Sequence, residues 1–105
     1  MHIQITARGV EVSDQLRERA EELAERWVRY EPLASAARLV FEAQGQSHTV
    51  EALISRDRLD PVACKGEGPD FRTALDELGE RASKILRRDH QKRTKRQHSP
   101  ADPLG

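Results

Sequence analysis

The stretch "ARLVFEAQGQSHTVEALI", residues 37–54, decides the fold. Ala37, Leu39, Phe41 and Ala43 alternate with Arg38, Val40 and Glu42, the period of a strand buried on one face. After the glycine-containing turn "QGQS", Val50, Ala52 and Ile54 form the inward set of a second alternating run. Two such runs on a short loop make a β-hairpin. The apolar face of that hairpin must be covered, and the residues on either side of it supply the cover.

Upstream, Ile3, Ile5 and Ala7 alternate with Gln4 and Thr6, which predicts a strand over residues 2–8 closed by Gly9. Ser13 is placed to cap a helix with Asp14 in its first turn, and Leu16, Ala20, Leu23, Trp27 and Tyr30 recur at spacings of three and four until Pro32 stops the pattern. The outer side of this helix mixes Glu18, Glu21, Glu22 and Glu25 with Arg17, Arg19, Arg26 and Arg29, a solvated face.

Downstream, "RDRLDP" reads as a polar connection and "VACKGEG" as a last, weaker strand. Pro61 has no N–H for a central ladder, so this strand belongs at an edge or starts there, and Gly66 and Gly68 mark its exit. Asp70, after Pro69, is placed to cap a second helix whose apolar residues are Phe71, Ala74, Leu75, Leu78, Ala82, Ile85 and Leu86. Its periodicity runs to about residue 92. The resulting order, β-α-β-β-β-α, predicts an α+β two-layer sandwich: a four-stranded sheet with two helices packed on one face. Residues 1–96 form the domain, and residues 97–105, with two prolines and little to bury, are expected to be a disordered tail.

The composition limits what such a domain can do. With 36% hydrophobic and 34% charged residues in 105, the core must be lean. No run of about 18 apolar residues is present and the first ten lack the pattern of an export signal, so a cytoplasmic protein without membrane contact is expected. Cys64 is the only cysteine, and its alternation onto the side of Val62 predicts a buried structural thiol. His48, His90 and His98 read as surface residues, and "GEGP" lacks the Lys/Ser pair of a phosphate loop. There is no carboxylate pair, no Ser/His/Asp set and no cluster with zinc-ligand spacing. The expectation is no catalysis, no metal, no cofactor and no small-molecule substrate.

The net charge of zero conceals a segregation. Residues 1–80 hold 10 basic and 16 acidic side chains, whereas residues 81–105 hold 8 basic and 2 acidic ones. Part of this surplus has a structural reading: Glu77 lies four before Arg81 and Glu80 four before Lys84, the favourable acid-first order on a helix. Beyond Lys84 that reading weakens. Asp89 can serve Arg93 or Arg88, but no acid lies four before Arg87, Arg88 or Lys92. Arg81, Lys84, Arg88 and Lys92 step by three, four and four, which places them on one stripe flanked by Arg87, and the charge continues through Arg93, Lys95 and Arg96 on what is expected to be a looser arm. Cations near a helix C-terminus gain at most about 1 kcal/mol each when exposed, too little to account for such a run. A surface for phosphates accounts for it better.

Several of these residues also resemble a known family, the ribosome hibernation-promoting factors, also called ribosome-associated inhibitors or ribosomal subunit interface proteins. The resemblance runs from "IQITARGVEVSDQLRERAEELAERW" through "HTVEALI" into "CKGEGPDFRTALDELGERASKILRRDHQK", about residues 1–96, and rests on the order of elements and on local patterns together. It implies a short-form inhibitor of translation, expressed in stressed or stationary cells, that occupies the decoding channel of the small ribosomal subunit. It further implies rRNA phosphate contacts by Arg81, Lys84, Arg88 and Lys92; contacts by Arg87, Arg93, Lys95 and Arg96 are an extension from charge alone. Off the ribosome a monomer is expected. Arg72 stands where many members carry a tyrosine.

Two other readings compete. A double-stranded RNA-binding domain also packs two helices on a sheet, but it grips phosphates with lysines at the start of its second helix, where this chain has the acidic "PDFRTALDEL". A stress-response adaptor would bind a partner protein through the acidic first helix.

Overall fold

The computed structural model describes residues 1–98, with side chains as far as residue 95. Six elements follow one another: β1 (His2–Arg8), α1 (Asp14–Tyr30), β2 (Ala34–Gln44), β3 (Ser47–Arg56), β4 (Leu59–Gly68) and α2 (Phe71–His98). The strands form one sheet in the order β1-β2-β3-β4. β1 lies parallel to β2, with Ile3 opposite Ala37 and Ile5 opposite Leu39, and α1 supplies the crossover that a parallel pair needs. The other two pairings are antiparallel hairpins. This is the expected α+β sandwich.

The alternation read from residues 37–54 sets the buried face. Ala37, Leu39 and Phe41 of β2 and Val50, Ala52 and Ile54 of β3 are all buried, and Phe41 lies opposite Val50 across the hairpin. Gly45 turns that hairpin at φ 61°, at the first central position of a two-residue loop, where strand twist favours glycine. Ala20, Ala24 and Trp27 of α1 and Ala74, Leu75, Leu78, Ala82 and Leu86 of α2 cover the sheet face. Ser13 caps α1 as expected, its hydroxyl accepting the Leu16 N–H at 3.2 Å. Asp70 does the same for α2, accepting the Thr73 N–H at 2.7 Å, and that bond holds its carboxyl below the ordinary range.

Four details differ from the sequence reading. The "RDRLDP" segment is mostly strand: the turn is confined to Asp57 and Arg58, with Arg58 at φ 64°, and β4 begins at Leu59. Pro61 is accommodated because β4 is an edge strand and the register shifts between Ile54 and Arg56, opposite it. Gly66 is not an exit signal but the seat of α2. A Cβ there would lie 2.0 Å from the Ala74 carbonyl oxygen and 2.6 Å from the Leu78 nitrogen, so only glycine lets the helix lie this close.

Ile85 is the third difference, being 40% exposed while Leu86 is fully buried. It follows Arg81 by four on the side of α2 that overhangs β4, and among the described residues no further strand lies beyond β4 to cover it. The fourth is the end of α2, which continues six residues past the expected stop at 92, to His98. Residues 92–98 contain neither proline nor glycine and are rich in Lys, Arg and Gln, good helix formers. Of the expected tail, residues 99–105 lie outside the described residues.

Candidate nucleic-acid interface

A helix of 28 residues is about 42 Å long at 1.5 Å per residue, longer than the sheet it packs on. Leu86 is the last fully buried apolar residue of α2, so the final turns carry their side chains past the apolar core. The predicted basic residues all fall on this helix, but their surroundings sort them into two sets.

Lys84, Arg88, Lys92 and Lys95 are exposed and follow one another at steps of four, four and three, on one side of the helix. Among the described residues none of the four has a carboxylate within ion-pairing distance, and the Glu80–Lys84 pair allowed by spacing does not form. Arg81 begins the same side but is engaged: it pairs with Glu77 at 2.9 Å, as the acid-first spacing predicts, and donates to the Lys65 carbonyl of β4 at 2.7 Å. Its side chain is still more than half exposed.

Arg87 and Arg93 are turned elsewhere. The Arg87 guanidinium lies 5.4 Å from the centroid of the Tyr30 ring, facing α1 rather than the stripe. Arg93 points inward and donates to the carboxylate of Glu31, with Asp89 a further partner at 3.5 Å. Arg96 is helical, with its side chain outside the described residues. Of eight predicted contacts, four therefore form an open cationic row, Arg81 flanks it, and two are held by the domain.

The inward partner of Arg93 escaped the sequence reading. Glu31, the residue just after α1, is the one charged residue among those described with no solvent exposure. Its carboxylate accepts from Arg56 at 3.3 Å, from Arg93, and from the Leu33 N–H at 3.3 Å, with His90 at 4.0 Å. Arg56 also pairs with Asp89 and donates twice to the Asp60 carbonyl, at 2.7 and 2.9 Å. Burial pushes the Glu31 carboxyl up, and hydrogen bonds from Arg93, Leu33 and Arg56 outweigh it, leaving the group below its ordinary range. Asp89 is held low chiefly by Arg56. Two signals pointed here. Arg56 continues the inward parity of Val50, Ala52 and Ile54, and Asp89 and Arg93 continue the Leu78, Ala82, Leu86 seam at steps of three and four.

The remaining candidates are structural. Burial pushes the Cys64 thiol up to about 11, against a smaller opposing pull from Arg81, so it stays protonated. His48 packs edge-on against Phe71 with ring centroids 4.7 Å apart instead of lying free on the surface. Among the described residues no group of three or more metal-ligating side chains gathers, and no helix is long and apolar enough to cross a membrane.

A family model described as "Sigma 54 modulation protein / S30EA ribosomal protein" matches residues 3–94, nearly the whole described chain. The chain belongs to that family. The resemblance read from the sequence is thereby borne out, and two solved structures add to it. A ribosomal subunit interface protein from Coxiella burnetii is 26% identical with a TM-score of 0.76, the match covering 82% of this chain and 93% of that one. The N-terminal domain of Protein Y from Thermus thermophilus is 23% identical with a TM-score of 0.74, over 84% and 98% of the two chains, a likeness of fold. No curated protein sequence matches. In this member of the S30EA family, the described row of cations lies on α2, whereas the exposed Arg17, Arg26 and Arg29 of α1 stand among Glu18, Glu21, Glu22 and Glu25, and Arg19 pairs with Asp76 of α2 at 2.7 Å.

Proposed function

We propose that this protein binds the small ribosomal subunit through rRNA phosphates along the exposed side of α2, and that by occupying the decoding channel it holds ribosomes inactive. The observation that carries this reading is the row Lys84, Arg88, Lys92 and Lys95, without carboxylate partners among the described residues, on a helix that runs past the apolar core. Like charges four apart on a helix repel by a few tenths of a kcal/mol per pair, so Lys84, Arg88 and Lys92 cost the free protein stability. A polyanion relieves that repulsion. Arg81, at the start of the row, contributes from its exposed half. Membership of the S30EA family and the fold shared with a ribosomal subunit interface protein support the choice of ribosomal RNA as the polyanion. The binding is non-catalytic and belongs to the cytoplasm.

Phosphate neutralisation makes such binding fall steeply with salt, with a log-log slope on the order of the number of phosphates contacted. The test is co-sedimentation of the Arg88→Glu, Lys92→Glu double variant with purified small subunits across a salt series. Loss of most of the bound fraction, and a shallower slope in what remains, is the expected result. Undiminished association would overturn the assigned surface.

A further inference from the structure

Four charged side chains from three parts of the chain meet at one end of the domain: Glu31 from the end of α1, Arg56 from the end of β3, and Asp89 and Arg93 from α2. The set is charge-balanced, two carboxylates against two guanidiniums. Glu31 has no exposure and Arg56 only 7%, so screening by water and salt is weak there. Its members on α2 come three and seven residues after Leu86, the last fully buried apolar residue of the helix. Lys92 and Lys95 lie on the same turns as Arg93.

We propose that this cluster is a latch and that Arg93 is a positioning residue rather than a phosphate ligand. By tying α2 to Glu31 just beyond the apolar core, it keeps the final turns helical and holds Lys92 and Lys95 in fixed register with Lys84 and Arg88. Arg56 is the hub. One guanidinium reaches Glu31, Asp89 and the Asp60 carbonyl, so the ends of α1, β3 and α2 and the start of β4 are fixed together. Without the latch, the last turns lose their tertiary anchor and fray as an isolated helix end does. RNA would then have to order those turns on binding, and the cost would appear as lost affinity.

The latch itself rests on geometry alone, while its consequence for binding rests on the ribosomal reading above, so the experiment has one arm for each. Arg93→Met, Arg93→Lys and the wild type are compared by amide hydrogen exchange and by small-subunit binding over a salt series. Exchange within residues 89–98 should quicken by about tenfold in Arg93→Met, while residues 71–86 keep their protection and so report an intact fold. Arg93→Lys, which keeps a cation within reach of Glu31, should restore most of the protection. Equal protection of residues 89–98 in all three proteins would overturn the latch. In the binding arm, Arg93→Met should weaken affinity about tenfold with the salt slope unchanged, because no phosphate contact is lost. A slope reduced by about one would instead make Arg93 a phosphate ligand and overturn the positioning role. Unchanged affinity beside loosened turns would overturn it too. Failure of the wild type to bind small subunits would refute the ribosomal reading and the positioning role with it, leaving the exchange arm to decide the latch.

Discussion

The two ends of α2 are held by different physics. From Phe71 to Leu86 the helix is seated by apolar burial, with Ala74, Leu75, Leu78, Ala82 and Leu86 against the sheet and the backbone pressed onto Gly66. From Arg87 to His98 nothing apolar is fully buried among the described side chains, and the attachment consists of ion pairs to Glu31 and Arg56 and the contact of Arg87 with the Tyr30 ring. The phosphate contacts proposed above fit this division, because cations that are to meet phosphate must stay uncovered by their own domain, and Arg88, Lys92 and Lys95 lie beyond Leu86 with Lys84 just before it. Buried apolar contacts are indifferent to pH, whereas ion pairs are not, which makes the contrast open to experiment.

The largest effect belongs to the seated half. Gly66→Val puts a branched side chain where even a Cβ meets backbone at 2.0 Å, and backbone atoms cannot rotate away. Relief requires α2 to lift from β4, so a loss of about 3 kcal/mol or more is expected, enough to lower the thermal midpoint by over ~10 °C. Circular dichroism melting checks it. A midpoint within a few degrees of the wild type would mean that the close seat of the helix on Gly66 is dispensable.

Next comes the hub of the other half. Arg56→Met removes one of the two guanidiniums that meet Glu31 in a site without solvent, leaving Arg93 and the Leu33 N–H, and losing a charged hydrogen-bond partner in this way costs about 1.5–3 kcal/mol. Adding Glu31→Met should recover much of the loss, since a buried pair replaced as a whole by apolar groups of similar volume is often nearly neutral. Urea denaturation of the two single variants and the double variant measures this. If the double variant is as unstable as the sum of the singles, the two residues are not coupled and the cluster has been misread.

A smaller effect comes from acid. Glu31 and Asp89 are both held below the ordinary carboxylate range, so the folded form is favoured at neutral pH and that contribution is lost only as pH falls beneath that range and through their lowered values. Carboxyl carbon NMR should show both groups titrating low in the wild type, with Glu31 moving back up in Arg93→Met. Titration of both in the ordinary range would remove the electrostatic basis of the attachment.

The same contrast explains what could be read in advance. Wherever burial follows a simple period, the residues announced the structure: the hairpin of 37–54, the cap at Ser13 and the seam from Ala74 to Leu86 are each local patterns. The cationic stripe on α2 was legible as a stripe but not in its membership. Spacing set apart only Arg93, through Asp89 four before it, and what sorts the three arginines is what lies opposite: the Tyr30 ring for Arg87, Glu31 for Arg93, solvent for Arg88. Those neighbours come from 57 and 62 residues away in the chain, beyond any spacing argument. Ile85 failed in the same way, because its periodicity is that of a core residue and only the position of the sheet edge exposes it.

Arg87 gives the finest test of that sorting. Its guanidinium lies over Tyr30 at 5.4 Å, a cation–π contact between partly exposed groups worth about 0.5–1 kcal/mol. Arg87→Ala and Tyr30→Leu, alone and combined, should therefore show a coupling energy of that size in a double-mutant cycle of stability. The binding prediction is sharper than the stability one. If Arg87 stays on Tyr30 when RNA is bound, Arg87→Ala leaves the salt slope untouched, whereas Lys84→Ala, a few residues before it on the open row, lowers the slope by about one. If Arg87→Ala lowers the slope equally, the guanidinium leaves the ring for a phosphate, and the boundary between the held cations and the free ones shifts from Arg87 to Arg93.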